Sequence, residues 1–559
     1  MTALEAPVGI VGAGPVGLVA ALRLAGLGVP SIVVDAKPSL VKQGSKACLI
    51  QGDVLEVLDK VGCADPIDAE GVTWRTARTY VANEQIRSVT HPKPLGYGPF
   101  VNISQYRIEQ VLAERAAAEP LVDLRWDHRV EDVTQDAAGV TLTTRTGAAE
   151  QILRVRHLVA CDGVRSTLRE LLGVEWTGYT HKDRFLITDI RAKLPLAKER
   201  HFHYNPSFNP GRQLVMHPQP DDIWRIDWQL PPDADIDAER ADGRFDARVR
   251  AVIGDIPYEI DWVSTYRFHQ RVVARLRVGR VLFAGDAAHA LPPYGSRGMN
   301  SGIQDADNLA WKLAQIERGL AGEELLESYH TERYAAAREN LRVTEATIRF
   351  MVPPHPLRRW ARAVLLRLSK VLPAAERRVN SGRMAEPFVY RESPLIPGAA
   401  GHPLLGHFAP DTPLTPDGAP DRLRRLFGHS FVGLLVASDA AGAARLAAAA
   451  RSGPWAVAAD LVAVLPAGAP AEGLPDGVRA VHTGPGGLPA GYADDIPVWW
   501  LVRPDGHLAA RSTRGGDFAA ALATAAGTSG DGTPAEGTPA DDGTEDGGRA
   551  AAQLKGAQA

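Results

Sequence analysis

Val8 to Val11 is a short apolar run that breaks at glycine, and beyond it Leu18, Leu22 and Ala25 recur on one face of a helix. Ser31 to Val34 is a second apolar run, ending at Asp35. Strand, tight turn, helix and strand in this order make the βαβ unit of a parallel sheet. Between about Arg184 and Leu230 the period changes. In Trp224 to Leu230 every second residue is apolar, which predicts an antiparallel strand with one buried face. An α/β pattern returns at Val278 and runs into a long helix. Leu357 to Val379 reads as an arginine-rich helix, residues 386–420 are crowded with proline and glycine, and a further α/β region spans about 408–522. Its strands include Phe431 to Ala437 and Pro497 to Val502, the second entering the turn Arg503-Pro504-Asp505-Gly506.

Length and composition narrow the class. The chain has 559 residues, 45% of them hydrophobic, enough for two or three domains. The net charge is −4, and no basic tract offers a surface for nucleic acid. From Asp531 onward six acids and two bases account for that whole charge, so the rest is near neutral and this tail is expected to be disordered. Cys48, Cys63 and Cys161 form an odd, sparse set that suits a reducing compartment. No apolar run approaches the ~18 residues of a membrane span, and no secretory signal opens the chain. A soluble cytoplasmic protein without a bound metal is expected.

Three motifs carry chemistry. Gly12-Ala13-Gly14-Pro15-Val16-Gly17 follows a strand and opens a helix. Gly12 permits the tight turn, Gly14 admits a pyrophosphate, and Gly17 allows close packing of helix on strand. Asp35 is placed to accept ribose hydroxyls, and the helix N-terminus stabilises phosphate charge. Asp162-Gly163 ends a second apolar run and by itself is a common turn. Gly285-Asp286-Ala287-Ala288-His289 ends a third, and Pro292-Pro293-Tyr294-Gly295-Ser296-Arg297-Gly298-Met299-Asn300 leads into a helix from about Ser301, with Ser301 and Gln304 as a capping box. Asp286, at the end of a buried strand, needs polar partners that a ribityl chain would supply. His289 reads as structural.

In this order, over about Val8 to Asn340, the motifs resemble the single-component FAD-dependent aromatic hydroxylases, the group of p-hydroxybenzoate and phenol hydroxylases. The resemblance implies an α/β chain with a Rossmann-like FAD-binding domain (1–75, 101–180 and 276–350), an inserted antiparallel-sheet substrate domain (76–100 and 181–275), a helical connector (351–400), a thioredoxin-like α/β domain (401–525) and a tail (526–559). It implies FAD, transient NADPH or NADH, O₂, and hydroxylation of a phenolic ring through a C4a-hydroperoxyflavin. It places Gly12, Gly14, Gly17, Asp35, Lys46, Gln105, Asp162, Gly163, Gly285, Asp286, Pro293, Gly298, Met299 and Asn300 at the cofactor. Lys46 stands where the family usually has arginine, and Gln105 where it has a polar contact.

Pro293, Tyr294 and Arg297 are the candidate catalytic residues. Arg297 departs from the glycine-rich GQGMN of many members and is expected beside the flavin ring. His203, Tyr204, His217 and Trp228 are candidates to line the substrate pocket. The C-terminal domain has no cysteine, so dithiol chemistry is excluded there and a structural or dimerisation role is expected, with a homodimer left open and no nucleic-acid or membrane partner. Epoxidation and Baeyer–Villiger oxygenation remain open alternatives. The Trp-x-Trp-x-Ile-Pro segment of halogenases is absent, and a non-catalytic flavin-binding module is the remaining reading.

Overall fold

The first apolar runs become neighbouring parallel strands, Ala6–Val11 and Ser31–Val34, because both are buried on both faces of a sheet. The computed structural model describes residues 5–528 apart from 42–46, 352, 354, 370, 377–378, 380–383, 385, 416–420 and 456. Lys46 and the acidic tail therefore lie outside the described residues. In the first sheet Val281–Phe283, Ala149–Ala160, Ala6–Val11, Ser31–Val34 and Val122–Arg125 run parallel in that order. Helices Pro15–Gly26 and Arg297–Glu317 pack together against it, and their apolar residues belong to one core.

The second sheet has eight strands, ordered His289–Ala290, Glu259–Val273, Trp176–Arg191, Ile223–Leu230, Gln213–Pro218, Arg200–Tyr204, Thr76–Val81 and Glu84–Thr90. Helices Ile236–Ala241 and Arg244–Ile253 cover one face, burying Ile236, Phe245, Val249 and Ile253 against Trp224, Ile226, Trp228 and Leu230. The opposite face turns towards the first sheet and its connecting loops. The alternation in Trp224 to Leu230 is therefore correct in period but not in environment. Arg225 and Gln229, expected to face water, are 1% and 3% exposed.

Two expected helices are redrawn. The stretch Leu357 to Val379 is not one helix: it forms Pro356–Leu368, ends, and restarts as the short turn Pro373–Glu376, where Pro373 cannot continue the preceding helix. The helix of the third motif begins at Arg297 rather than near Ser301, with Ser296 as N-cap in a left-handed conformation and no side-chain cap. Ser301 is inside the helix, where its hydroxyl accepts from Arg333 and Asn340, so the expected capping box does not form.

The third sheet is ordered Val478–His482, Ala459–Leu465, Phe431–Val436, Val498–Val502 and Leu508–Ser512, the first three parallel and the last two antiparallel to them. Its core is continuous with that of the first sheet. The turn at Arg503-Pro504-Asp505-Gly506 is one join, beside the buried Arg422–Glu56 pair. Arg503 is fully buried and binds Glu332 through Nη1 at 2.5 Å and Nη2 at 3.0 Å, while Asp505 accepts from Asn308 and Trp311.

Candidate active site

The nucleotide loop follows from steric limits. Gly12 has φ +106°, and a Cβ there would lie 2.4 Å from the Cys161 carbonyl oxygen on the neighbouring strand. A Cβ on Gly17 would lie 2.0 Å from the Gly12 carbonyl oxygen. At Gly14 a Cβ would meet nothing within 4 Å. The loop is thus tight behind and open in front, where helix Pro15–Gly26 starts and its first-turn N–H groups lack intrahelical acceptors. Asp35 ends the second strand. Its Oδ2 accepts from Ala13 N and its Oδ1 from Lys37 N, both at 2.8 Å, which fixes the carboxylate at the loop with lone pairs to spare.

The second motif is anchored to the third. Asp162 Oδ2 accepts from Leu168 N at 3.0 Å, whereas its buried Oδ1 has no hydrogen-bond partner among the described residues. Burial raises this carboxyl above its ordinary range. Gly163, with φ +79°, has open space at its Cβ position. Arg169 stacks over Trp176 at 3.8 Å and donates to the carbonyls of Val164 and Ala287 at 2.9 and 3.2 Å, tying the two loops together.

In the third motif the strand Val281–Phe283 stops before Gly285, and Gly285–Ala287 form a 3₁₀ turn. Asp286 is not the buried strand end that the sequence suggested. The turn reverses its direction, so it is exposed between buried neighbours, with Oδ1 3.8 Å from where a Gly298 Cβ would stand. Behind the turn Asp305 accepts from Gly285 N at 3.0 Å, His289 Nε2 at 2.6 Å and Arg333 Nε at 2.6 Å. Burial alone would raise the Asp305 carboxyl, but His289 and Arg333 overcome this and hold it below its usual range. His289 is a scaffold residue.

The same loop meets the second sheet. His289–Ala290 is its edge strand, paired with Val272 and Arg271. Tyr294 then seats on that sheet, 5.6 Å from the Phe268 ring and 6.1 Å from Phe185. Pro293 is exposed and its carbonyl accepts from Ser296 N at 3.0 Å. Asn300 bonds the strand Leu49–Gln51 through Gln51 N and the Leu49 carbonyl, both at 3.0 Å. Gly298 and Met299 occupy the first helical turn, half-buried. Gln105 opens its own helix, its Oε1 accepting from Ala47 N at 3.3 Å. Arg297 differs from expectation. Its guanidinium is buried and donates to Asn340 Oδ1 at 2.7 Å and to the Met384 carbonyl at 3.2 Å. It ties two helices to the following segment.

Strand register sorts the four pocket candidates. Residues directly opposite across a sheet share a face. Trp228 lies opposite Leu186 and Leu214, in the cluster under the two covering helices. His203 lies opposite Leu214 and stacks on Tyr80 at 4.4 Å. Both therefore point away from the flavin loop, and the expectation that they line a pocket there is corrected. Tyr204 and His217 lie on the loop-facing side, opposite Gln213 and Arg225. That face carries a polar row of which only His217 stood among the sequence candidates: Asp189, Arg225, His217 and Arg200, on four adjacent strands. Arg225 and Asp189 pair in two-pronged fashion at 2.8 and 2.7 Å. Alternation with Trp224, Ile226 and Trp228 disguised the arginine as solvent-facing.

Such a chain, with its nucleotide loop and a second sheet closing over it, is a two-layer dinucleotide-binding flavoprotein. The FAD binding domain family matches residues 5–344, and the aromatic-ring hydroxylase C-terminal family matches residues 402–529. The chain belongs to the FAD-dependent aromatic hydroxylases. It is 31% identical over 381 residues to a 3-(3-hydroxy-phenyl)propionate/3-hydroxycinnamic acid hydroxylase of Comamonas testosteroni, covering 66% of this chain and 63% of that one. A protein of the same name from Mycolicibacterium smegmatis is 30% identical over 413 residues, 73% of this chain and 71% of that one. The crystal structure of the flavin-dependent monooxygenase PieE with FAD and substrate shares the fold, with TM-score 0.76, 24% identity, and coverage of 94% of this chain and 100% of that one. Among the described residues no helix is long and apolar enough to cross a membrane.

Proposed function

We propose that the enzyme hydroxylates a phenolic ring held between the Pro292–Met299 loop and the polar face of the second sheet, using NADPH or NADH and O₂. The observation that carries this reading is the seat of Tyr294 on Phe185 and Phe268, which brings the cofactor loop and the buried sheet face together. The residues fit FAD. Open space at Gly14 and the adjacent helix N-terminus suit a pyrophosphate, and Asp35 suits a ribose. The exposed Asp286 suits ribityl hydroxyls, and the orphaned Asp162 Oδ1 calls for a further donor. Lys46 and Gln105 extend the set, and the first-turn N–H groups of Gly298, Met299 and Asn300 offer positive potential to a reduced ring. Bound FAD would supply the redox and oxygen chemistry. The chain's own part is to orient the ring, exclude water and manage the phenolic proton.

A panel of phenols tests the reading, with NADPH and NADH oxidation followed beside product mass. A mass gain of one oxygen on the ring is expected. Ester or epoxide products would transfer the assignment to Baeyer–Villiger oxygenation or epoxidation.

A further inference from the structure

Building on that reading, we propose that Asp227 is a catalytic residue: it accepts the hydrogen bond of the substrate's phenolic hydroxyl and then its proton. Asp227 lies one step along the strand from Arg225 on the loop-facing side, between Ile187 and Val215 on the adjacent strands. Neither neighbour can donate to it. Its Oδ1 is buried without a hydrogen-bond partner among the described residues. An unpaired carboxylate oxygen in such a place is costly, so its presence asks for a donor that the described residues do not supply.

The surroundings favour a neutral donor of hydroxyl type. Arg225 is committed to Asp189 but leaves Nη1 without a partner, and His217 leaves Nδ1 without one. These three orphaned polar atoms share one face with the equally unpartnered Nε2 and Oε1 of Gln213, whereas buried polar atoms are normally satisfied. The charged and titratable groups facing Asp227 are Arg225 on its own strand, Asp189, Arg200, Tyr266, and Cys48 on the strand side of the first domain. Burial pushes the Asp227 carboxyl up to about 7, against the pull of Arg225. Burial with Arg200 and Arg225 keeps His217 neutral near pH 7, so it does not compete for the proton. In the step itself the phenol O–H bond breaks, the proton joins an Asp227 oxygen, and the electron pair stays on the phenolic oxygen, enriching the ring. Arg225 Nη1 and Arg200 stand on the same face to stabilise that oxygen's charge.

The test uses FAD-loaded enzyme, the isosteric Asp227→Asn and, as a second variant, Asp227→Ala. Two probes are compared: 3-(3-hydroxyphenyl)propionate, whose hydroxyl stays protonated to about pH 10 like that of tyrosine, and 4-nitrophenol, which ionises unaided near neutrality. For the first probe, wild-type binding should weaken as pH falls through 7, because a protonated Asp227 is a weaker, uncharged acceptor and can no longer take the phenolic proton. For 4-nitrophenol, binding should weaken about tenfold per pH unit above 7, because two anions must share one proton taken from solvent. Both limbs should vanish in the variants. Turnover of the first probe should fall roughly 100-fold, the low end of general-base catalysis, with a much smaller fall for 4-nitrophenol. Parallel pH profiles in wild type and variants, or equal losses with both probes, would overturn the proposal. Wild type that binds neither probe and turns over no phenol would instead defeat the phenol reading beneath it.

Discussion

Glu332 ties the third sheet to the rest of the protein through a buried ion pair with Arg503, and its replacement has a calculable cost. Its side chain is completely buried. Oε2 accepts from Lys312 Nζ and Asn308 Nδ2 at 2.8 Å and from Arg503 Nη2 at 3.0 Å, while Oε1 accepts from Arg503 Nη1 and Ser393 Oγ at 2.5 Å. Lys312 and Arg503 are balanced by Glu332 and Asp505, all inside the protein. Glu332→Gln removes one negative charge and turns an amide NH₂ towards donors. Breaking a buried pair from one side costs about 3–5 kcal/mol. Lys312→Met added to Glu332→Gln restores the charge balance, so the double variant should recover at least about 1 kcal/mol of that loss. Urea unfolding read by tryptophan fluorescence measures it, because Trp311, Trp499 and Trp500 are buried in the shared core. Burial alone would raise the Glu332 carboxyl, but Arg503 and Lys312 override this and hold it well below its usual range. The pair therefore stabilises above about pH 4.5, the ordinary value, and the contribution is lost as pH falls further. A single variant within about 1 kcal/mol of wild type, or a double variant worse than the sum of its parts, would refute the reasoning.

Gly14→Val should fold and yet hold little flavin, since its side chain enters the open space before the helix, whereas Gly17→Ala should fail to fold for want of room against Gly12; flavin absorbance and circular dichroism separate the two. Asp286→Ala should likewise give folded, flavin-poor protein, and normal yellow colour would remove that residue from the site. A true substrate should speed anaerobic NADPH oxidation at least roughly tenfold, about 1.4 kcal/mol of population shift, and Arg297→Ala should change that stimulation more than flavin content, because Arg297 bridges Asn340 and the Met384 carbonyl. Asp227→Asn should be more stable than wild type at pH 8. The raised carboxyl of Asp227 contributes stability fully below its ordinary value of 3.8, a contribution lost as pH rises through about 7.

How much of this was legible in the sequence depended on how local the physics was. Gly12, Gly14 and Gly17 declare themselves because a turn, an approach and a close packing each exclude side chains over six adjacent positions, and the parallel strands declare themselves because burial on both faces leaves no polar residue in Val8 to Val11. Contacts between distant segments left no such mark. Arg503 and Asp505 looked like turn residues in Arg503-Pro504-Asp505-Gly506, because a turn is normally solvated. Their burial depends on Glu332, which is 171 residues away, and no periodicity records that pairing. Asp305 is hidden the same way, inside a helix whose amphipathic pattern gives no hint that Gly285, His289 and Arg333 converge on it.

The second sheet shows why function is the harder inference. Period-two alternation reports which side of a strand is apolar, and water is the usual neighbour of the other side. Here the other side meets a second domain, so polar residues that cost free energy to bury are retained on it. Trp228 looked like a ligand contact because aromatic rings often line pockets, yet strand register places it in the cluster under the covering helices, away from the cofactor loop, even though its Nε1 and the neighbouring Thr188 Oγ1 lack partners among the described residues. Arg225 and Asp227 looked like a solvated edge, while His217 stood among the pocket candidates; all three keep unused hydrogen-bonding atoms on the loop-facing side. In a buried interface between a cofactor loop and a sheet, incomplete satisfaction taken together with strand register is the better guide to the substrate than aromatic character. A hydrophobic pocket tolerates many rings, whereas an orphaned donor and acceptor set at fixed positions accept only a ligand that completes them.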